Sequence, residues 1–353
     1  MTRSYPPLVL ASLIAMGVPD ADITEVIGPA FGTDGMAAVH ARDDQGRLWV
    51  VWAPLTDEAA LGIESQRDVL AALASEVRAG HLLFDVPRPS ALVQIGKNEG
   101  FAMVAPALPG GLYADDDIAR TVSLAKPLAE ALASLHSLRP SVLQRTGVPD
   151  YSVDECRQHI HAEIDEAAES GVIPPSLYNR WEGILDDVNL WRFTPRVVHG
   201  ALSAECLWLK PGKVCAISDF SRAHVGDPAE DLAWVVSIAT DEFLDAFIDA
   251  YAKARRLDDT SALIERSAFM GEIALVRWLL HGMHAHDQEI IEDARGLLRE
   301  LADALDETAA EASDQAPKPG PDDADPDQAN QPTERVDMNQ LTERVDMNEV
   351  FGR

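Results

Sequence analysis

The sequence is poor in cysteine and in basic residues. It has three cysteines among 353 residues, and Cys156, Cys206 and Cys215 form no C-x-x-C pair. An odd number of widely spaced cysteines favours neither a disulfide framework nor a zinc ribbon. Lysine and arginine number 29 against 59 aspartates and glutamates, so the formal net charge is −30. Such a surface repels phosphate-bearing surfaces, and we expect neither nucleic acid nor membrane as a partner.

Long apolar runs are also missing, because no stretch reaches the roughly 20 apolar residues that a membrane span needs. The nearest is PPLVLASLIAMGV, close to the N-terminus. A single arginine precedes it and no small-residue cleavage site follows, which favours a buried first helix over a secretion signal. We therefore expect a cytoplasmic protein. The apolar content of 46% and charged content of 25% are ordinary for a globular chain with a sizeable core.

Residues 1–106 carry the pattern of a small, mostly antiparallel sheet with one helix. The apolar runs MAAVHA and RLWVVWAP flank DDQG, and ALVQIG and FAMVAPAL flank KNEG, so each pair predicts a hairpin. Between the hairpins, residues 59–75 place leucine and valine on one helical face. From 107 to 305 the pattern is mainly helical, with short strands at RVVHG, CLWLK and VCAISDF.

Residues 306–353 form an acidic tail of Asp, Pro, Ala and Gln that is too poor in apolar residues to fold, so we predict disorder. The tail contains TERVDMN twice, at 333–339 and 342–348. One interpretation is a duplication without a role. The other is a short motif in the 333–348 segment that docks a protein partner twice and gains affinity from effective concentration.

The order of the motifs carries a resemblance. A sheet lobe is followed by the linker ALPGG, the helix LAEALASLHSL, HGxLxxxxL, a strand, DF and DPxxDLAWV. This arrangement, over about residues 8–300, resembles the aminoglycoside/macrolide phosphotransferase family, which shares the protein-kinase-like fold. The resemblance implies a two-lobed α+β protein with an antiparallel-sheet N-lobe and a mainly helical C-lobe. It also implies a nucleotide cleft beside the linker residues Ala105, Pro106 and Ala107.

The family's catalytic loop reads approximately HGDLHxxN, and residues 199–206 match it only in part. The resemblance implies that Ala201 replaces the Asp that accepts the substrate proton, and that Cys206 replaces the magnesium-binding Asn. A thiol is a poor ligand for a hard cation. The second metal-binding Asp remains as Asp219, and Glu205 is a further candidate metal ligand.

The N-lobe departs from the family in the same way. The lysine that grips the nucleotide phosphates falls on Trp52, and no lysine occurs before Lys97. The glutamate that would pair with that lysine aligns with Gln66. Arg47 is near in sequence, but its odd offset from Trp52 predicts the opposite face of the strand.

The residues that match the family are mainly those that hold the loops of the C-lobe: His199, Gly200, Asp227 and Asp231. We therefore hypothesise a pseudokinase that binds a protein partner or a small molecule, requires no cofactor and binds Mg–ATP weakly if at all. Loss of the general base alone costs about 100- to 10,000-fold in rate. One alternative is an active ATP-dependent phosphotransferase acting on a hydroxylated small molecule, with Glu205 and Asp219 as displaced catalytic groups. Another is a protein that sequesters a ligand without chemistry.

Two further motifs were weighed. HGMHAHD, at 281–287, suggests a zinc site, but His281 and His284 share a helical face that His286 does not, which favours a polar helix end. Cys206 and His199 lie in one loop and suggest a cysteine nucleophile, yet the sequence indicates no orienting acid or oxyanion hole.

Overall fold

The computed structural model of the chain describes residues 3–33, 35–97 and 99–315, with side chains as far as residue 307. Its first part is a five-stranded antiparallel sheet in the order β1-β2-β3-β5-β4. The two hairpins predicted from the apolar runs are β2–β3 and β4–β5. The strands are β1 (Ile23–Thr33), β2 (Met36–Asp43), β3 (Leu48–Pro54), β4 (Ala91–Gln94) and β5 (Phe101–Pro106).

The sheet has apolar side chains on both faces, and each face packs against a different core. Helix α1 (Pro7–Gly17) covers the face that carries Val51 and its cross-strand neighbour Val39. Trp52 and its partner Ala38 lie on the other face, within the core shared with the helical part. Alternation along a strand therefore directs the even-numbered residues of β3 towards the second lobe.

Helix α2 (Asp57–Ala79) is longer than the segment predicted for it. It begins after Thr56, whose Oγ1 accepts a hydrogen bond from the Ala59 N–H at 3.2 Å, and it ends at Gly80 with a φ of 75°. Both signals follow ordinary capping chemistry. The helix packs against β3, β5 and the short 3₁₀ turn Phe220–Arg222, so it joins the sheet to the second lobe.

The second lobe is mainly helical. Two short antiparallel strand pairs interrupt it: β6 (Arg196–Val198) with β9 (His224–Gly226), and the hairpin of β7 (Leu207–Lys210) with β8 (Lys213–Ile217). β9 was not predicted. The helices are α3 (Asp115–Ala119), α4 (Ala125–Leu135), α5 (Val153–Ala168), α6 (Pro175–Asp186), α7 (Ala229–Ile238), α8 (Asp241–Arg255), α9 (Ser261–Ala285) and α10 (Gln288–Gln315).

The predicted start of the tail at 306 lies inside α10, which continues to Gln315. The segment DETAAEASDQ is rich in alanine and glutamate, whose high helix propensity extends the helix beyond its last buried leucine, Leu305. The rest of the predicted tail, including both copies of TERVDMN, lies outside the described residues. Across the part of the chain that the structure describes, none of the helices is long and apolar enough to cross a lipid bilayer.

The β7–β8 hairpin forms backbone hydrogen bonds with segments that flank β4 and β5. The N–H of Asp85, which follows α2, donates to the Cys215 carbonyl at 2.9 Å, and the Ile217 N–H donates back to Asp85 O at 2.9 Å. On the other strand, Gly111 and Leu209 exchange two backbone hydrogen bonds of 2.8 and 2.9 Å. The hairpin thus carries backbone contacts from the chain before and after β4–β5.

Candidate functional site

The carboxylate of Asp231 holds the loop that begins at His199. It accepts hydrogen bonds from the backbone N–H of His199 at 2.7 Å, the N–H of Gly200 at 2.8 Å and Nε2 of His136 at 3.0 Å. Burial alone would raise the pKa of Asp231, but the hydrogen bond and charge of His136 and the donors of His199 lower it below its usual value. Asp231 is therefore an ionised, fully buried anchor for the loop.

The ring of His199 ties the same loop to the segment before Asp219. Its Nε2 lies 2.8 Å from the Ser218 carbonyl oxygen, so Nε2 carries the hydrogen, and Nδ1 faces the Ala201 N–H at 3.4 Å. The ring also meets Phe220 edge-on, with 4.7 Å between centroids. Both nitrogens of His199 are thus used in positioning the backbone.

Gly200 has a left-handed backbone, with a φ of 81°. A Cβ at this position would lie 2.5 Å from the Arg222 carbonyl oxygen and 3.0 Å from Nδ1 of His224. Only glycine fits such an approach without movement of the backbone.

Asp227 supports the loop at its far end. Its carboxylate accepts bonds from Nε of Arg266 at 2.6 Å and from the Ala229 N–H at 3.0 Å. The bond from the Ala229 N–H caps the start of α7, and the Glu230 N–H donates to the Asp227 carbonyl at 3.1 Å. The Glu230 carboxylate lies 3.4 Å from Nε2 of His224.

The positions that the resemblance assigns to chemistry lie in this same loop. Ala201 is exposed and presents a methyl group. Cys206 is buried, and its Sγ lies 3.6 Å from the Ser203 hydroxyl and 3.8 Å from the Ala201 carbonyl oxygen. Burial, followed by the charge of Asp219, raises the pKa of the Cys206 thiol to about 12. A neutral thiol is neither a nucleophile nor a magnesium ligand, so the cysteine-nucleophile alternative loses its support.

Asp219 is the carboxylate that the resemblance assigns as a metal ligand. It is exposed at the end of the segment bonded to His199, and its backbone is left-handed, with φ 60° and ψ 62°. Aspartate adopts this conformation more readily than most residues other than glycine, and residues in such sparsely populated conformations cluster at active sites. Glu205 is half-buried in the neighbouring turn.

Asp219 supplies one carboxylate beside the neutral thiol of Cys206, where the resemblance puts a second oxygen ligand. Among the described residues, no three His, Cys, Asp or Glu side chains come together as a metal-binding group. Magnesium is usually bound by one or two carboxylates together with water and phosphate oxygens, so Asp219 fits a magnesium ion that is bound together with phosphate.

Trp52 and Gln66 stand at the inner end of the cleft. Trp52 is buried on the β3 face that looks towards the helical lobe, in one core with Ile63 and Phe220. Gln66 is 2% exposed on the packed face of α2, and its Oε1 has no hydrogen-bond partner. An indole and an unpaired amide therefore occupy the places where the resemblance puts a lysine and a glutamate.

Within the described sheet lobe, no arginine takes the place of the missing lysine, because each is engaged elsewhere. Arg47 stacks over the ring of Trp49, on the strand face opposite Trp52, as its offset predicts. Its Nε lies 2.6 Å from the carboxylate of Asp43, the last residue of β2. The remaining pairs are Arg3 with Asp57, Arg42 with Glu25, Arg67 with Asp68, Arg78 with Ser75 and Arg88 with Asp85.

Sequence reasoning missed an aromatic contact between the lobes, which we call the aromatic bridge: Phe31, His40 and Trp208. Phe31 stacks on His40 with 4.8 Å between centroids, and Trp208 of β7 meets the two rings edge-on at 6.0 and 5.7 Å. An irregularity in β1 between Ile27 and Phe31 shifts its register against β2. Burial lowers the pKa of His40, so its ring is neutral near pH 7. The pattern of CLWLK predicts a short strand, and this is the sequence signal for the position of Trp208.

The linker residues continue the sheet. Ala105 and Pro106 belong to β5 and pair with Val50 and Trp49 of β3. The N–H of Ala107 donates to the Leu48 carbonyl at 2.9 Å, so this donor is already used within the protein.

The histidines of HGMHAHD are dispersed. The His281 ring stacks on Trp278 with 5.6 Å between centroids, and Nε2 of His284 lies 2.6 Å from the Glu166 carboxylate. His286 ends α9 with a left-handed backbone. The three histidines therefore have separate surroundings in the described structure.

His224 forms a second titratable cluster beneath the loop. Its Nδ1 lies 2.9 Å from the Arg222 carbonyl oxygen and its Nε2 lies 3.4 Å from Glu230. Because both partners are acceptors, the ring fits best as an imidazolium. Burial alone would lower the pKa of His224, but the hydrogen bond and charge of Glu230 raise it above its usual value.

Comparison with solved structures confirms the predicted fold. A macrolide 2'-phosphotransferase, MphH from Brachybacterium faecium, matches with a TM-score of 0.67 at 23% identity, over 82% of this chain and 97% of that one. The GDP complex of wild-type aminoglycoside 2'-phosphotransferase-IIIa matches with a TM-score of 0.70 at 21% identity, over 84% and 99%. Both have the kinase-like arrangement of a sheet lobe and a helical lobe.

Sequence comparison gives the family. YcbJ of Bacillus subtilis (strain 168), an uncharacterized protein, is 23% identical over 225 residues, which is 61% of this chain and 71% of YcbJ. The model of the phosphotransferase enzyme family matches residues 35–266, well over half of the chain and including the loop, Asp219 and Asp231. The chain belongs to the phosphotransferase enzyme family.

Proposed function

We propose that this protein binds a ligand or partner in a phosphotransferase fold that has lost ordinary phosphoryl transfer. One observation carries the proposal. The loop from His199 is held by a complete set of hydrogen bonds to Asp231, yet it presents the methyl group of Ala201 where the resemblance puts the general base. A loop in its working position without a proton acceptor is impaired by its chemistry and not by its fold.

Weak or absent binding of Mg–ATP follows from three features. The thiol of Cys206 is neutral, and the buried indole of Trp52 stands where the resemblance puts the phosphate-gripping lysine. The aromatic bridge joins the sheet to β7 across the cleft. Phosphoryl transfer depends on positioning and electrostatic stabilisation by cations, and these features supply neither.

The alternative is an active phosphotransferase in which Asp219 holds magnesium and Glu205 serves as a ligand or base. The left-handed backbone of Asp219 favours this alternative, because residues in such sparsely populated conformations cluster at active sites. The engagement of every described N-lobe arginine with another residue counts against it, because none of these arginines replaces the phosphate-gripping lysine.

Ligand and partner are proposed more coarsely. The solved structures include a kanamycin complex and a macrolide phosphotransferase, and a net charge of −30 suits capture of cationic small molecules without turnover. The tail segment 333–348 is the proposed protein-docking element, and the setting is cytoplasmic. Affinity capture with the full chain and with a chain ending at 315, which leaves α10 complete, tests the docking role. Identical partners for both chains would contradict it.

The direct test of the main proposal is calorimetric titration of the full chain with Mg–ATP, followed by an assay for ADP release. Asp219→Ala is the informative variant, and Asp258→Ala, an exposed aspartate between α8 and α9, is the matched control. We expect no saturation at millimolar ATP for any of the three proteins. Binding that Asp219→Ala abolishes, with turnover, would establish the alternative.

A further inference from the structure

We infer that the outer face of helix α1 is a contact surface through which two copies of this chain associate. The helix corresponds to the apolar run PPLVLASLIAMGV, which the structure buries on one side only. Helix α1 covers the sheet face that carries Val39 and Val51, opposite the face that carries Trp52. The surface therefore lies away from the cleft, and the inference does not depend on the proposed function.

The first observation is which residues of α1 are exposed. Leu8 is 75% exposed and Met16 is 66% exposed. Ser12 lies between them in the same row of residues spaced by four, and it is exposed as well. Val9 and Ala15 flank this row and are also open to solvent. The exposed residues thus form one continuous strip along two turns of the helix, and most of them are apolar.

The second observation is the absence of charge on this helix. None of the 11 residues of α1 is acidic or basic, in a chain whose formal net charge is −30. Repulsion between two such copies is weakest where both contact surfaces are neutral. Single exposed apolar residues are ordinary on a protein surface, and the other large ones in the described structure occur one to a segment. They are Leu48, Leu61, Leu83, Leu112, Val188 and Leu257.

The third observation is that the exposed row is symmetric about Ser12. When two α1 helices cross at Ser12 in antiparallel orientation, Leu8 of each copy lies beside Met16 of the other. Rows of residues spaced by four pack against each other in this way at a crossing angle of about 50°. Oγ of Ser12 donates to the Val9 carbonyl oxygen at 2.6 Å, so its hydroxyl hydrogen is already bonded within the helix. A twofold contact of this kind closes on itself and gives dimers instead of filaments.

The size and charge of α1 determine the kind of partner and the strength of the contact. A helix of 11 residues is about 16 Å long and 10–12 Å wide. Its face is smaller than the surface of about 800 Å² that each partner contributes to a standard interface, so we expect a reversible dimer of micromolar or weaker affinity. A lipid surface fits less well, because helices that bind lipid headgroups carry lysine or arginine beside their apolar face.

Sedimentation equilibrium of the full chain, at protein concentrations up to about 1 mM, tests the contact. We expect dimers that strengthen when sodium chloride is raised from about 0.05 to 0.5 M, because salt screens the repulsion between the copies. Leu8→Glu and Met16→Glu should each weaken dimerisation at least about tenfold, since each places a carboxylate in an apolar contact. Val188→Glu, at a 59% exposed residue of the helical lobe, is the matched control and should leave dimerisation unchanged. A mixture of the Leu8→Lys and Met16→Glu chains should associate more strongly than either alone, because the new charges are opposite and adjacent in the antiparallel contact.

A monomer at every protein and salt concentration would overturn the inference. So would equal dimerisation of the Leu8→Glu, Met16→Glu and Val188→Glu chains, which would put the contact on another surface. A chain ending at 315 supplies the remaining outcome: if it dimerises while the full chain does not, the face belongs to the segment after 315 and not to a second copy. None of these measurements involves nucleotide, so the proposed function stands or falls separately, by the titration with Mg–ATP.

Discussion

Two halves of one loop differ in how their side chains are supported. His199 and Gly200 are bonded through their backbone N–H groups to the buried Asp231, and both ring nitrogens of His199 have partners. Ala201 and Cys206, a few residues later, present a methyl group and a neutral thiol. The half that shapes the loop is intact, and the half to which the resemblance assigns the chemistry carries neither a carboxylate nor an amide at these two positions.

The residues that hold the loop in place are therefore different from the residues that would carry out chemistry on it, and either set can change without the other. A buried carboxylate with three donors cannot be removed without stranding those donors, so the fold itself requires it. An exposed side chain that contacts only substrate can be truncated at almost no cost in stability. Folding therefore requires Asp231 and does not depend on the side chain at position 201.

The largest expected effect comes from breaking the intact half. Asp231→Ala leaves the N–H groups of His199 and Gly200 and the ring of His136 without their acceptor. We expect the free energy of unfolding to fall by about 3–5 kcal/mol, as measured by urea denaturation followed by circular dichroism. The exposed control Asp258→Ala should change it by less than about 0.5 kcal/mol. A loss below about 1 kcal/mol for Asp231→Ala would contradict this view of the loop.

A smaller loss is expected at Gly200. Gly200→Ala combines left-handed backbone strain with a Cβ 2.5 Å from the Arg222 carbonyl, whereas Gly212→Ala has a φ of 67° and nothing within 4 Å. Strain alone costs about 1–2 kcal/mol, and we expect Gly200→Ala to exceed Gly212→Ala by at least about 1 kcal/mol. Thermal unfolding of both variants measures the difference. Equal losses would mean that the close approach to Arg222 has no energetic weight.

The charged ring of His224, next to Gly200, makes the stability of the protein depend on pH. Because the pKa of His224 is raised in the folded protein, its contribution to the free energy of unfolding is fully present below the unfolded pKa of about 6.5. That contribution is lost as the pH rises through the folded pKa. Urea titrations between pH 5.5 and 8.5 should show the wild type losing stability towards the alkaline end. His224→Gln should flatten that slope, while His159→Gln, an exposed histidine, should not.

The smallest effect is expected in the altered half. Ala201→Asp restores the family's carboxylate at an exposed position, and we expect the stability to change by no more than about 0.5 kcal/mol. Release of ADP in the presence of Mg–ATP should remain undetectable, because Trp52 and Cys206 are unchanged. If Ala201→Asp alone produces turnover, the cleft binds nucleotide productively and only the base is missing.

The fold and the intact half of the loop were accessible from sequence because their signals are local. Alternating apolar runs around DDQG and KNEG specify the hairpins, and HG with DPxxD marks the anchored loop. The assignment of Arg47 to the face opposite Trp52 needed only strand periodicity, and the structure agrees.

The rest depended on contacts between distant segments. The aromatic bridge needs Phe31 displaced by an irregularity of β1 that no alternation pattern reveals, and it needs Trp208 from the other lobe. β9 has only three residues and is defined by its pairing with β6. The unpaired Oε1 of Gln66 is a property of its surroundings, which an i, i+4 pattern cannot express.

The contacts of the β7–β8 hairpin also bear on the order in which the protein is made. Asp85 completes its backbone bonds with Cys215 and Ile217, and the bridge joins Phe31 to Trp208. During synthesis the sheet lobe leaves the ribosome well before those partners exist, although domains generally fold as units in N-terminal order. We therefore expect the nascent sheet to expose its Trp52 face until β8 has emerged, so that chains truncated before Ile217 aggregate or are degraded.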